Sequence, residues 1–265
     1  MLRETASLLR STGAMPALAA EMDNNATQML AQLRPLLARG DDGGWWHMLY
    51  PKDDTDEAPT KVEARFLHDF IYVGQTIADD LTADGSAAEM VSFFERELRT
   101  PNFVRAMSQR DPSANVTGSR RADHNQWGSW DGWAGYAITA LANLGRLDLA
   151  AEFARDLAAN LDQGPFGQAH RVFGSGEGAR GNMTRPARKD QSYSAVCSGY
   201  IADGVVRGLF GFAPTIQTTT GGDGVPALRA ANTSRGFHGT LKHVRYRDGY
   251  FTITSDARGV RAVRE

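Results

Sequence analysis

The sequence predicts a mainly α-helical protein that is built from helical hairpins and ends in a small antiparallel β module. Apolar residues recur at helical spacing through most of the chain, as in Ala137, Leu141 and Leu144. Residues 145–148 form so short a connection that the helices on either side must run antiparallel as a hairpin. Near the C terminus, an Asp-Gly pair at residues 248–249 stands between two runs of β-favouring residues, which is a hairpin signal.

Composition limits the function classes that the chain can serve. Its 265 residues suffice for one large domain or two unequal ones. The 29 Lys and Arg nearly balance the 31 Asp and Glu, so the net charge of -2 gives no general attraction to nucleic acid or to a membrane surface, and neither is expected as a partner. Cys197 is the only cysteine, which excludes an intrachain disulfide and a cysteine metal cluster. Glu4 comes early and no apolar run resembles a signal peptide or a membrane span, so we expect a soluble, cytoplasmic protein.

The first long helix is predicted to begin at Pro16, a residue suited to a first helical turn. Apolar residues continue at helical spacing as far as Leu37, and Gly40 is placed to end the helix. A loop over residues 41–51 and an acidic run over residues 52–57 follow. The acidic run is expected to be a solvated loop, because nothing holds its carboxylates in a coordination geometry.

Two further helices are predicted before the middle of the chain. One begins at Thr60, since Thr60 and Glu63 have capping-box spacing, and the next covers residues 87–98. His68 lies between apolar positions of the first of these helices, where a structural histidine is favoured over a metal ligand. Residues 100–120 hold several Pro, Gly, Ser and Asn residues and are predicted to form a long connection.

Helical stripes return over residues 130–144, 149–161 and 193–209. Trp133 follows the first stripe and is expected in the core. Residues 162–190 form a glycine-rich connection that is too long for a simple turn, and long loops in a compact domain are often functional. Short turns therefore alternate with long loops, and we expect one set at each end of the helices.

Residues suited to carbohydrate binding concentrate in these long loops. Three of the five tryptophans lie within residues 127–133, beside acids and a histidine. Indole faces stack on sugar rings, and polar side chains bind hydroxyl groups. The loop that holds Trp45 and the loop that holds Glu177 would supply two further walls of a pocket. The residues predicted to bind substrate are Trp45, Trp46, His47, His124, Trp127, Trp130 and Arg180.

The order of several motifs resembles the C-terminal half of a six-hairpin glycosidase. These motifs are Asp123-His, Trp130-Asp-Gly-Trp, Ala140-Leu-Ala-Asn-Leu-Gly-Arg, Asp190-Gln-Ser-Tyr, Gly208-Leu-Phe-Gly-Phe-Ala-Pro, Gly239-Thr-Leu-Lys-His-Val-Arg-Tyr and Tyr250-Phe-Thr-Ile-Thr. The resemblance covers about residues 120–255. It implies an (α/α) toroid over residues 1–212, with its pocket where long loops join inner helices, and a small antiparallel β module over residues 213–265.

The toroid is expected to be incomplete. The sequence predicts about eight helices, fewer than the twelve of a complete toroid of that kind. A missing wedge would expose apolar flanks of the remaining hairpins, and exposed patches of that size usually pair. We therefore expect a homo-oligomer, and a strictly monomeric elution by light scattering at micromolar concentration would contradict that expectation.

The resemblance implies a glycoside hydrolase acting on a carbohydrate, and this chemistry needs two carboxyl groups that flank the scissile bond. Glu177, which stands among glycines in the late loop, is the candidate general base. Asp131 is the candidate general acid, because flanking tryptophans would desolvate it and raise its pKa. Asp123 is held in reserve, and Asp190 completes the short list. A flexible, exposed glutamate and a helix-capping aspartate remain the structural alternatives for the first two. No cofactor and no metal are expected.

Other functions remain open on the same fold. The resemblance also allows a polysaccharide lyase, for which Tyr50, His47, His124 and Tyr193 are candidates, or a sugar epimerase with paired histidines. A non-catalytic carbohydrate-binding or interaction module is the third alternative. Residues 180–189 carry several Arg and Lys, which suit an anionic sugar such as a uronate or a plain solvated loop.

Overall fold

Helices account for most of the regular structure. The structure is a computed structural model, and it describes residues 2–11, 13, 15–33, 37–39, 45–49, 62–83, 85–111, 128–159, 170–173, 183–184, 195–212, 237–246 and 248–265. The helices are α1 (Leu2–Ser11), α2 (Pro16–Leu33), α3 (Leu67–Thr76), α4 (Ala78–Ala83), α5 (Ala87–Phe93), α6 (Asp131–Asn143), α7 (Leu147–Ala158) and α8 (Ala195–Asp203). π-Helical turns extend α5 over Phe94–Leu98 and α8 over Gly204–Leu209.

The strands form three antiparallel sheets of three strands each in the part of the chain that is described. They are β1 (Leu37–Arg39), β2 (Trp45–Leu49), β3 (Val62–Ala64), β4 (Gly128–Trp130), β5 (His170–Phe173), β6 (Met183–Thr184), β7 (Gly239–Tyr246), β8 (Gly249–Asp256) and β9 (Gly259–Arg264). The predicted combination of a mainly helical chain with a small antiparallel sheet near the C terminus is confirmed.

Helices α3 and α6 pack side by side and run parallel. Near their first residues, the rings of His68 and Trp133 meet edge to face with centroids 4.0 Å apart. Further along, Asn143 Nδ2 donates a hydrogen bond of 3.1 Å to the carbonyl oxygen of Gly74. Gly74 lies so close to Ala140 that a Cβ added to it would approach the Ala140 Cβ to 2.6 Å. Both helices therefore begin at the same end of the layer.

Helix α8 packs on the other side of α6 and is parallel to it. The Tyr136 and Tyr200 rings lie 4.5 Å apart near the beginning of the two helices. Gly135 and Gly204 bring the two backbones into direct contact, and Gly208 lies against Thr139 one turn later. Because glycine has no Cβ, these positions let the helices approach more closely than larger residues would allow. The helices α3, α6 and α8 thus form one parallel layer.

A second layer is formed by α7 and the end of α5. Phe94 packs edge to face on Phe153 with ring centroids 5.5 Å apart. Arg99 Nη2 then bonds the carboxylates of Glu152 and Asp156, at 2.7 Å each. These residues combine an apolar inner face with an ion-paired outer face, as expected of helices that cover a core.

The turn between α6 and α7 confirms the predicted hairpin. Gly145 has a φ of +82°, and its N–H donates to Ala142 O at 3.1 Å. The N–H of Arg146 donates to Leu141 O at 2.9 Å, which completes a Schellman motif. Glycine adopts this left-handed conformation without steric cost, so the chain reverses within three residues and α7 begins at Leu147.

The C-terminal sheet shares the hydrophobic core of the helices. Phe210 packs edge to face on Phe237 with centroids 5.1 Å apart, and Phe212 does the same on Tyr246 at 6.0 Å. Ile253 is fully buried and belongs to the same core cluster as the helical residues. The proposed division into residues 1–212 and 213–265 stays a prediction. The strand β9, which the sequence pattern did not indicate, completes the sheet by pairing with β8.

Several predicted boundaries are wrong. The helix that begins at Pro16 ends at Leu33, and Leu37 lies in a strand, because Pro35 cannot continue a helix and restricts the residue before it. The helix predicted from Thr60 begins at Leu67, because the preceding residues pair with β2 as a strand.

Strands also occur within two segments that were predicted as loops. Trp45–Leu49 pairs on both sides as β2, and His170–Phe173 pairs on both sides as β5. Trp130 ends β4 instead of opening the helical stripe, whereas Trp133 is 6 % exposed and lies in the core as predicted. Short strands of this kind depend on backbone pairing with other segments of the chain, which the periodicity of a few residues does not reveal.

Helix α2 leaves apolar side chains uncovered. Met15, just before the helix, is 64 % exposed, and Met29 within it is 58 % exposed. Leu30 packs on the core from the same helix. Within the described residues, no helix combines the length and apolar character needed to cross a membrane.

Candidate functional site

Extended segments connect the regions that hold the predicted tryptophans. β3 continues into Arg65, whose carbonyl oxygen accepts a hydrogen bond of 2.9 Å from Ser108 N. Leu67 N donates to Ala106 O at 3.0 Å, and Ala106 N donates in the other direction to Gly128 O at 2.8 Å. Residues 106–108 therefore lie between the continuation of β3 and the start of β4. We call this arrangement the extended band; it consists of β1–β3, residues 65–67, residues 106–108 and β4–β6.

The extended band lies at the end of the helical layers where α3 and α6 begin. Residues 65–67 lead directly into α3, and Trp130 leads directly into α6 at Asp131. The short connection around Gly145 lies at the opposite end of α6. The short turn of the α6–α7 hairpin thus lies away from the extended band, and the predicted placement of the long loops at the other end stays a prediction, because most of their residues are outside the described part of the chain.

The register of β4 and β5 relates the candidate carboxylates to one another. Asp131 directly follows the Trp130 position, which pairs with His170. Glu177 belongs to the segment that leaves β5 after Phe173, at the other end of a strand about 10 Å long. Asp123 belongs to the segment that leads into β4 at this second end. Asp131 therefore directly follows the end of this sheet at which Trp130 pairs with His170, and Asp123 and Glu177 fall in segments outside the described residues.

Much of the predicted site lies outside the described residues. Asp123, His124, Trp127, Glu177 and Arg180 are outside them, as are Asp190, Tyr50 and Tyr193. The backbone of the other predicted residues is described, and their side chains are not; these residues are Trp45, Trp46, His47, Trp130 and Asp131. His47 pairs through its backbone with Ala64 and Leu37. The band thus contains the backbones of four predicted binding residues, Trp45, Trp46 and His47 on β2 and Trp130 on β4.

A buried ion pair stands beneath the extended band. Arg65 Nη1 bonds both carboxylate oxygens of Glu97, at 3.1 and 3.2 Å, and the two side chains are 10 % and 3 % exposed. Ser108 Oγ donates to Glu97 at 2.5 Å, and Arg110 Nη1 approaches it to 3.5 Å. A carboxylate that is removed from water needs such partners, because an uncompensated buried charge is strongly destabilising. Glu97 therefore joins the helical layer to the band.

Asp69 and Asp111 are two neighbouring acidic residues next to the ion pair of Arg65 and Glu97. Asp111 is 4 % exposed and accepts a hydrogen bond of 2.6 Å from the backbone N–H of Arg65. Burial raises the pKa of the Asp69 carboxyl from 3.8 to about 7. The N–H of Phe66, which donates to Asp69, opposes this increase in pKa, and the Asp111 charge adds to it. Burial of Asp69 therefore shifts its titration from the acidic range to near neutral pH.

Asp69 is expected to make the folding stability depend on pH. In the unfolded chain its pKa is near the ordinary value of about 3.9, whereas the folded protein keeps the proton up to about pH 7. Between these values the folded state binds more protons, so the contribution of Asp69 to stability falls as the pH rises through this window. The free energy of unfolding of Asp69→Asn relative to wild type should therefore increase from about pH 4 to about pH 7 and stay constant above it. Urea unfolding across this pH range measures the difference, and a pH-independent difference would contradict the prediction.

His68 was predicted to be a structural histidine between apolar positions of a helix. Its ring contacts Trp133, but the residue is exposed rather than enclosed in the core. Among the described residues, no group of three or more His, Cys, Asp or Glu is placed to hold a metal ion. The contact brings the residue before Asp69 next to the first turn of α6.

Sequence patterns did not single out Asp69, Asp111, Arg65 or Glu97. Glu97 lies between apolar residues of a helical stripe, and its burial depends on a partner 32 residues away. One local signal was present for Asp69, since an acid in a first helical turn binds a free backbone N–H. That signal predicts a helix cap. The raised pKa of Asp69 follows from its burial, which the sequence does not show.

No protein-family model, curated protein or solved structure matches the chain. The interpretation of the site therefore depends on its own geometry. A carboxyl group whose pKa is raised to about 7, placed where α3 begins at the extended band, is suited to proton transfer near neutral pH.

Proposed function

We propose that the protein is a glycoside hydrolase whose helices form part of an (α/α) toroid and whose substrate binds against the extended band. The observation that carries the proposal is the parallel layer of α3, α6 and α8. Two of these helices begin directly from the band, with α7 and the end of α5 covering the layer from outside. In a toroid of helical hairpins the inner helices are parallel, and the loops that enter them surround the pocket. The parallel order of α3, α6 and α8, with the α6–α7 hairpin between the layers, supports the proposal for the described part of the chain.

The proposed chemistry uses one protonated and one ionised carboxyl group. Glu177 is proposed as the general base and Asp131 as the general acid, with Asp123 in reserve. Asp69 now joins them as a candidate acid, because burial raises its pKa to about 7, close to the value that suits a general acid working near neutral pH. Asp69 and Asp131 stand in the first turns of neighbouring parallel helices.

An activity screen tests the proposal directly. The purified chain is incubated with aryl glycosides and with neutral and uronate polysaccharides, and released sugars are quantified. A hydrolase releases reducing sugar without new ultraviolet absorbance, whereas a lyase produces an unsaturated, ultraviolet-absorbing end. Sugar binding without turnover would support the non-catalytic module instead. Isomerised sugar without bond cleavage would support the epimerase.

The carboxylate roles predict distinct outcomes for isosteric variants. We expect Glu177→Gln and Asp131→Asn each to lower kcat by about 100-fold or more while substrate binding is retained, because general acid–base catalysis contributes this much. Asp156→Asn, a substitution in α7 of the second helical layer, should leave kcat within about twofold. Full activity in either isosteric variant removes that residue from its role.

A pH profile separates the two candidate acids. If Asp69 donates the proton, wild-type kcat should fall as the pH rises through about 7, and Asp69→Asn should lower kcat by about 100-fold or more and remove that pH dependence. If Asp69 only binds the N–H of Phe66, the Asp69→Asn enzyme should keep the wild-type pH profile. Both proteins are measured at a temperature where circular dichroism shows them folded, so that unfolding is excluded as the cause of a lower kcat.

Self-association remains a prediction. The exposed Met15 and Met29 near and within α2 are candidates for a covered surface in an oligomer. Light scattering at micromolar concentration should give a mass above that of one 28.8 kDa chain, and Met29→Lys should lower that mass if α2 contributes to the interface. A monomeric mass for the wild-type chain contradicts the prediction.

A further inference from the structure

We propose that the outer face of the sheet formed by β7, β8 and β9 binds an acidic polysaccharide, a chain of sugars that carry carboxylate groups. The inner face of this sheet packs on the helical core, where Phe251 is 1 % exposed and Ile253 is fully buried. Side chains alternate between the two faces along a strand, so the neighbours of these residues point outward. The outer face includes the side chains of Thr240, Lys242, Arg245, Tyr250, Thr254 and Arg261.

The segment that forms this sheet carries a surplus of positive charge. Residues 239–265 contain six Lys and Arg against three Asp and Glu. Two of the acids form ion pairs within the sheet, Asp256 with Arg261 at 2.5 Å and Asp248 with Arg264 at 3.4 Å. Because the whole chain has a net charge of -2, its positive charge is concentrated in this segment. A cationic surface on a chain of negative net charge favours an anionic partner at that surface.

Lys242 and Arg245 are the cations on which the proposed face depends most. Both are exposed, and neither has a carboxylate partner among the described residues. Arg245 pairs across the strands with Tyr250, which is 52 % exposed. An exposed ring beside a guanidinium group offers an apolar face to a sugar ring and a charged donor to its carboxylate. Thr240 and Thr254 pair on the same face and add hydroxyl groups that can bind those of a sugar.

A β-bulge in β7 places Lys242 and His243 together opposite Thr252. His243 has a φ of +56°, which is uncommon for a residue other than glycine. Glu265 holds this conformation, because its carboxylate accepts the backbone N–H of His243 at 3.0 Å and the Thr252 hydroxyl at 2.6 Å. Bulges often re-aim side chains at functional sites, and a strained residue persists where its surroundings hold it in place. The bulge thus adds a built feature to the cationic face.

The chemistry of the face favours an acidic polysaccharide over a nucleic acid. Binding of nucleic acid usually depends on the neutralisation of several phosphates by Lys and Arg. The outer face offers two such cations without a carboxylate partner in the described part of the chain. Its exposed tyrosine and threonine hydroxyls match a polymer in which carboxylates alternate with rings and hydroxyl groups.

Calorimetric titration of the full chain at low ionic strength tests the proposal with three probes. Oligogalacturonate supplies sugar rings with carboxylates, its methyl ester supplies the same rings without charge, and oligothymidylate supplies phosphates. We expect oligogalacturonate to bind, and the other two probes to bind at least about tenfold more weakly. Added salt should weaken binding, because it screens the Lys and Arg charges. The titration needs no turnover, so binding without sugar release supports this proposal even where it contradicts the proposed hydrolysis.

Variants of exposed residues locate the binding without disturbing the core. The double variant Lys242→Gln/Arg245→Gln should raise the Kd of oligogalacturonate about tenfold or more, because it removes two charged donors. Arg264→Gln is the control, since it changes the charge of the same sheet at a residue that pairs with the inward-facing Phe251 and binds Asp248; its Kd should stay within about twofold of wild type. The proposal is overturned if oligogalacturonate does not bind, if the methyl ester or oligothymidylate binds as tightly, or if the double variant leaves the Kd unchanged.

Discussion

Gly135→Ala is expected to destabilise the folded protein by about 3 kcal/mol or more, although it adds a single methyl group. A Cβ at this position would overlap the backbone carbonyl of Tyr200 in the neighbouring helix. Backbone cannot move aside as a flexible side chain can, so α6 and α8 would have to separate. Since Gly204 of α8 packs on the same point of α6, that separation would also expose apolar surface along the rest of the helix pair.

Urea unfolding of a matched glycine variant provides the control. Gly199 also lies in α8, but a Cβ built there has nothing within 4 Å. Gly199→Ala should therefore leave stability unchanged or raise it by up to about 1 kcal/mol, because alanine favours the helix. The midpoint urea concentration measures both effects, provided that the slope of the unfolding free energy against urea concentration is the same in all three proteins. A Gly135→Ala protein as stable as wild type would show that the two helices do not pack through these glycines.

Arg65→Met is expected to destabilise the protein by about 3 kcal/mol, because it leaves the Glu97 carboxylate buried without its principal partner. The Glu97 side chain is only 3 % exposed, so water does not replace the lost guanidinium without opening the structure. Ser108 and Arg110 still contact Glu97, which keeps the expected loss at the lower end for a broken buried pair. Loss of the pair should also loosen the connection between the extended band and the end of α5.

A double-mutant cycle distinguishes a lost pair from lost packing. The combined variant Arg65→Met/Glu97→Leu removes both charges and should recover most of the stability, since two apolar groups replace a buried pair at little net cost. Arg207→Met serves as the surface control; its pair with Asp203 is exposed, and its loss should cost less than about 0.5 kcal/mol. A double variant that is no more stable than Arg65→Met would show that Arg65 acts through packing and not through the charge of Glu97.

For the candidate site, the sequence predicted which segments take part but not how they pair with one another. Trp133 was correctly expected in the core, and the segment that leads into α6 holds Trp130, as predicted for one wall of the pocket; the acidic loops lie outside the described residues. The strands β2 and β5 were missed, because each contains few residues and is defined by pairing with other segments of the chain and not by its own pattern. The acidic pair of Asp69 and Asp111 was missed for the same reason, since its two carboxyl groups come together only when residues 65–67 pair with residues 106–108.

Local signals in the sequence were enough to specify the helical hairpin of α6 and α7, with Gly145 at its turn, and the hairpin of β7 and β8. Each of these depends on residues within a few positions of one another, so spacing and turn chemistry define it. The parallel layer of α3, α6 and α8, the extended band and the buried pair of Arg65 and Glu97 required the folded chain. In each of these, the contact joins residues far apart in sequence, and the burial of a charge or the close approach of two glycines has no counterpart in the local pattern.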